Sequence, residues 1–245
     1  MSARVAPPTE QRVQQTTDRQ RPDRESRARG RPIYLKVAGT LLFLAGAVIL
    51  MGIITAEALY PAAYSTATNT VSDLGGTLPS EGGVVLQPSA TVFDATMVVS
   101  GVMIVAAAYG LHRALGRRAV TVPTALLGIG VLGVGVFPGN TGPHPVFALL
   151  AFVAGGVAAI LSYKVSQSPL RYVVAALGAV ALLMLVLGML GAPQPDGMGL
   201  LGNEGPIAAL GAGGLERWVA YPVVLWLTTF GSYLMGHGRR ESLDA

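Results

Sequence analysis

Residues 37–56 read VAGTLLFLAGAVILMGIITA, twenty residues without a charge. At a rise of about 1.5 Å per residue, a helix of that length reaches about 30 Å, the thickness of a bilayer's hydrocarbon core. The small-x-small triplet Ala56-Glu57-Ala58 resembles a signal-peptide cleavage site. However, the leading region exceeds 30 residues, and the apolar run is longer than the 7–15 residues of a signal-peptide core. The stretch therefore reads as a spanning helix.

Five further apolar runs follow it. The chain is 51% hydrophobic and 12% charged, about half the roughly 25% charge of a soluble domain. The expected fold is all-α and membrane-integral, a six-helix bundle with helices at about 33–59, 91–111, 120–137, 146–163, 172–190 and 215–235. The membrane domain is expected over 33–236. A basic tail over 1–32 is too poor in apolar residues to bury a core and reads as disordered, and a short tail covers 237–245.

Charge sets the expected orientation. Arg4, Arg12, Arg19, Arg21, Arg24, Arg27, Arg29, Arg31 and Lys36 precede or open the first helix. Arg113, Arg117 and Arg118 lie between the second and third helices, Lys164 and Arg171 between the fourth and fifth, and Arg239 and Arg240 near the end. With both termini cytoplasmic, Arg217 is the one basic residue of the 17 left outside, the asymmetry of the positive-inside rule. A multi-pass protein of the plasma membrane follows. The basic balance belongs to topology, and no nucleic-acid partner is expected.

Working outward along the chain, the polar segment is Tyr60–Gly76, YPAAYSTATNTVSDLGG. The carboxylates Glu57, Asp73, Glu81, Asp94, Asp196, Glu204 and Glu216 gather on the same outer side, with Asn69, Ser72, Asn140, His144 and Asn203. Asp94 lies about one turn inside its helix. A carboxylate at the bilayer centre costs about 2.5–3.5 kcal/mol and normally faces a partner or water. Arg217 and His144 are its candidate partners, and a helix-capping role is the alternative. Arg217 is expected to pair with Asp73, Asp94 or Glu204, or to hold a phosphate headgroup.

With no cysteine and three scattered histidines, thiolate chemistry and a helical zinc pair are excluded. No cofactor is expected. Ser72, His144 and Asp73 suggest a hydrolytic triad without a diagnostic spacing; His144, Asp73 and Asp94 suggest a metal site no more strongly. Gly128, Gly130, Gly133 and Gly135 predict close helix approach, and Ala151, Gly155 and Ala159 form a small-residue stripe suited to helix packing or to a membrane-protein partner.

The pattern YPxxYSxxxNTVSDLGG, Phe93-Asp94, His144-Pro145, and Gly214-Leu215-Glu216-Arg217 with Trp226 resemble the bacterial domain-of-unknown-function family numbered 998. The resemblance spans about 33–236 and implies a six-helix membrane protein of unestablished activity. Its polar positions fall here on Asn69, Ser72, Asp73, Asp94, His144, Glu216 and Arg217, the candidate ligand-binding cluster. The expected function is binding or transport of a lipid or small polar ligand through an outward polar pocket. The alternatives are an enzyme acting on lipid-linked substrates and a structural subunit of a membrane complex. Membrane lipids are the expected partners.

Overall fold

A computed structural model describes the backbone of residues 8–191 and 208–243, and side chains over 30–190 and 209–237. Six helices follow in order: α1 (Pro8–Ala58), α2 (Ser89–Leu115), α3 (Arg118–Val136), α4 (His144–Leu161), α5 (Leu170–Gly191) and α6 (Gly211–Leu243). Among the described residues there is no strand. Each helix contains a stretch long and apolar enough to cross a membrane, in α1 over Gly30–Ala58 and in α6 over Gly211–His237. The protein is a multi-pass membrane protein. Asp196, Asn203 and Glu204 lie outside the described residues.

The helix ends differ from the sequence reading by a few residues at most places, and α6 runs on to Leu243 past the expected 235; three starts have a physical reason. Backbone helix is described from Pro8, where apolar content alone suggested none; the stretch is rich in Arg, Gln and Glu, which favour helix without a core. At α2 the helix starts at the buried Ser89, whose hydroxyl donates to the Leu74 carbonyl at 3.3 Å. Finally, α6 opens at Gly211, within what read as a glycine-rich loop. There the Gly213 N–H donates to Ala67 O at 2.9 Å, and a Cβ on Gly213 would strike the Asn69 and Thr66 carbonyls.

Each helix packs on its sequence neighbours, and α6 returns to close on α1, so the six form a ring. By contrast, α4 and α6 touch only lightly. The glycines of α3 set the closest approaches. A Cβ on Gly128 would meet Val105 of α2 at 2.8 Å, one on Gly130 would meet Ala151 N of α4 at 2.6 Å, and one on Gly135 would meet Asp94 O at 2.5 Å. Only hydrogen at these positions lets the backbones meet. The α4 stripe is used inside the same chain: Ala151 lies against Gly130, Gly155 against Val223 and Ala159 against Gly178.

The end of the bundle away from the Tyr60–Pro88 loop is pinned by aromatic residues. Trp226 and Phe230 are fully buried and stacked 5.6 Å apart. The Trp226 indole N–H donates to the buried Ser162 hydroxyl at 3.0 Å, so the ring enters the core without an unmet donor.

Candidate functional site

The loop joining α1 to α2 lies across one end of the ring, and two adjacent residues of α6 hold it down. Successive residues on a helix point about 100° apart, so Glu216 and Arg217 address different parts of the loop. The Glu216 carboxylate accepts the Val71 N–H at 2.6 Å and the Ser72 hydroxyl at 2.8 Å. It thereby meets the free donors that open the 3₁₀ turn Ser72–Leu74.

Arg217 does the converse. Its Nη1 donates to the carbonyls of Thr66, Asn69 and Gly213, each at 3.0 Å. Its Nη2 donates to Glu57 Oε1 at 2.6 Å and to the Tyr64 hydroxyl at 2.7 Å. The planar fork suits this arrangement, since one rigid group gathers five acceptors at fixed angles. The side chain is buried, and Nε alone lacks a partner. The Tyr64 O–H in turn donates to Thr70 O at 2.9 Å. Burial, with smaller effects of the nearby charges, pushes the Tyr64 hydroxyl above its ordinary range, so it stays a donor. Tyr60 is raised as well, first by burial and then by the Asp73 charge.

Within the loop, Asp73 closes a local turn. Its Oδ2 accepts the Thr70 N–H at 2.9 Å and the Asn69 amide at 3.4 Å, while Asn69 Oδ1 accepts the Ser65 N–H at 3.0 Å. Asn69, Ser72, Asp73, Glu216 and Arg217 therefore come together as one network. Asp94 and His144 do not join it. One Asp94 oxygen is buried without a partner, at the place where a Cβ of Gly75 would lie 2.5 Å away. His144 is buried at the start of α4, with Nδ1 on the Phe137 carbonyl at 2.8 Å and Nε2 unpartnered.

Several expected pairings are thus replaced. Arg217 pairs with Glu57 and not with Asp73 or Asp94, and Asp94 meets neither Arg217 nor His144. Ser72 gives its hydroxyl to Glu216, so it has no histidine base. Among the described residues, no group of three His, Cys, Asp or Glu side chains is placed to hold a metal. Glu57 and Tyr64 went unrecognised as members of the network. The only hint was that a lone cation near the membrane must find a carboxylate.

Beneath the loop lies a chamber of about 80 Å³. It is lined from α1, α2, α3, α4, α6 and the loop, and among the described residues Ser72 and Glu216 are its only polar lining; the others, from Ile49 and Phe93 to Leu227, are apolar. Ala148 and Phe152 of α4 and Ala220 of α6 line it yet stay partly exposed, so the chamber is least covered on the side where those two helices have few contacts. A more open groove runs along the other side of α6, past Thr66, Trp218, Tyr221 and Leu225, over Arg217. Every Nη hydrogen of Arg217 is already committed, so the groove offers no free guanidinium fork for an anion.

A family model described as a protein of unknown function, DUF998, matches residues 43–233. No curated protein and no solved structure matches the chain.

Proposed function

The chain belongs to the DUF998 family, whose description assigns no activity, and we propose from the site's geometry that this member binds a membrane lipid, taking a hydrocarbon chain into the chamber. The carrying observation is the polarity gradient along that chamber. Its polar rim, Ser72 and Glu216, lies under the loop, and its α6 wall continues through Ala220, Val223 and Val224 to Leu227. From Glu216 to Leu227 the wall descends about 16 Å at 1.5 Å per residue, roughly half a hydrocarbon core. An amphiphile lodged there would have the depth and direction it has in the bilayer, and the side opening between α4 and α6 would admit it from the lipid phase.

The positive-inside asymmetry supports an outward-facing loop, so the rim would meet the outer leaflet of a plasma membrane. Because the loop network is internally satisfied, the ligand-binding surface is the chamber wall and rim, Ser72 and Glu216 among the seven candidate residues. Asn69, Asp73 and Arg217 support it by holding the loop. The test is photocrosslinking of purified protein in nanodiscs with a lipid bearing a diazirine in its acyl chain. Label should map to Phe152, Val223 or Val224 and fall at least fivefold in Ala220→Leu, which fills the chamber. Equal labelling of the two proteins, both folded, would overturn the reading.

A further inference from the structure

Glu216 is the one carboxylate among the chamber's described lining residues, and no described side chain brings a cation to it. The neighbouring Arg217 is turned away, onto Glu57 and the loop carbonyls. The other described lysines and arginines, Arg31, Lys36, Arg113, Arg117, Arg118, Lys164 and Arg171, lie toward the end of the bundle opposite the loop. What Glu216 does have is one donor on each oxygen, the Val71 N–H and the Ser72 hydroxyl. A carboxylate offers about four lone-pair sites, so these bonds leave Glu216, which lines the chamber, able to accept a further donor. Ionisable groups within membrane helices face a partner or water, and Ser72 and Glu216 are the polar groups among the chamber's described lining on which a partner would settle.

We infer that the chamber's ligand carries a cationic, N–H-donating group, a primary ammonium, that sits on Glu216 while its hydrocarbon chain runs toward Leu227. This rests on the lipid-binding reading of the same chamber and narrows it to a ligand class. The ammonium can belong to an aminolipid headgroup or to a free long-chain amine; either supplies the point charge and the hydrogens that the rim lacks. Anionic amphiphiles are disfavoured, since they would set like charge against Glu216 with no free guanidinium to offset it.

The experiment is competition against the photoreactive lipid in neutral phosphatidylcholine nanodiscs at pH 7. Dodecylamine and dodecanol share a chain and differ in the group that meets Glu216. A hydrogen bond to a charged group is worth about tenfold or more in affinity, so the amine should displace the lipid at least about tenfold more effectively. That ratio should fall toward one in Glu216→Gln. Phosphatidylethanolamine, compared with its trimethylated counterpart phosphatidylcholine, separates the two sources. Preference for the ethanolamine form assigns the headgroup, whereas preference for dodecylamine alone assigns a free amine.

If amine and alcohol displace equally, the ammonium inference falls and the chamber reading stands. If neither displaces and Ala220→Leu changes nothing, both fall. The wild-type comparison decides even if Glu216→Gln fails to fold.

Discussion

Glu216 and Arg217, adjacent in the chain, hold the same loop by opposite chemistry. The acid takes the N–H and O–H donors of Val71 and Ser72, and the base gives to the carbonyls of Thr66 and Asn69. A short segment of irregular backbone at a membrane end has both unmet donors and unmet acceptors, and one helical turn meets both. These charges serve structure before they serve any ligand.

Replacing Arg217 with lysine should destabilise the protein although the charge is kept. A point-like ammonium with three donors cannot span Glu57, Tyr64 and three carbonyls. Breaking a buried pair on one side costs about 3–5 kcal/mol; the lysine variant should lose about half of that and Arg217→Ala most of it. Thermal unfolding in detergent measures both. Adding Glu57→Gln to Arg217→Ala should cost less than the sum of the separate losses, and strict additivity would show that the two side chains are not coupled.

Gly75→Ala should lower stability by about 1–3 kcal/mol, the usual cost of overpacking. The new methyl would lie 2.5 Å from Asp94 Oδ1 and 3.0 Å from Phe93 Cδ1. Shortening the acid in Gly75→Ala/Asp94→Ala removes the nearer clash, so the double variant should melt above Gly75→Ala alone. A double variant that melts lower would mean that Asp94 has a partner worth more than the relieved contact.

Alkaline pH should loosen the loop through Tyr64. Its hydroxyl titrates higher in the folded protein than at its ordinary value of 10.0, chiefly because it is buried. The folded state therefore holds this proton more tightly than the unfolded chain does. That contribution is full below about pH 10 and is lost progressively as pH rises beyond it. Tyr64→Phe should begin less stable, lacking the bonds to Thr70 and Arg217, and should lose less stability than wild type between pH 9 and 11 on this account. Parallel melting curves for the two proteins over that range would refute the assignment.

The two tryptophans should report opposite surroundings. Trp218 is 51% exposed on the outer surface of α6, while Trp226 is completely buried. In bilayers of brominated lipid, Trp226→Phe, which retains Trp218, should be strongly quenched. Trp218→Phe, which retains Trp226, should be quenched several-fold less. Similar quenching in the two variants would mean that Trp226 is reached by lipid and that the α5–α6 side of the ring is open.

Hydropathy made the six helices legible because about twenty uncharged residues in a row have few other uses, and the α3 glycines signalled close packing for the same physical reason. Helix ends were less readable. Gly211, Gly213 and Gly214 look like loop residues in isolation, yet two of them are small because loop carbonyls press against them. The site was half legible. Polarity picked out Asn69, Ser72, Asp73, Glu216 and Arg217, but seven carboxylates competed for one arginine. The winner, Glu57, lies 160 residues away in sequence, a distance that no local pattern spans. The chamber could not be read at all, because Val223 facing a void and Val219 facing a neighbour are the same letter.

The ring closes between its first and last helices, and this sets an order on biosynthesis. Glu57 and the loop leave the ribosome some 150 residues before Arg217, so five helices are made while the loop has only its own bonds and that of Ser89 to hold it. Only arrival of α6 supplies the groups that fasten it. A chain cut short before residue 217 would lack the one group that ties Glu57 and Tyr64 to the carbonyls of Thr66 and Asn69.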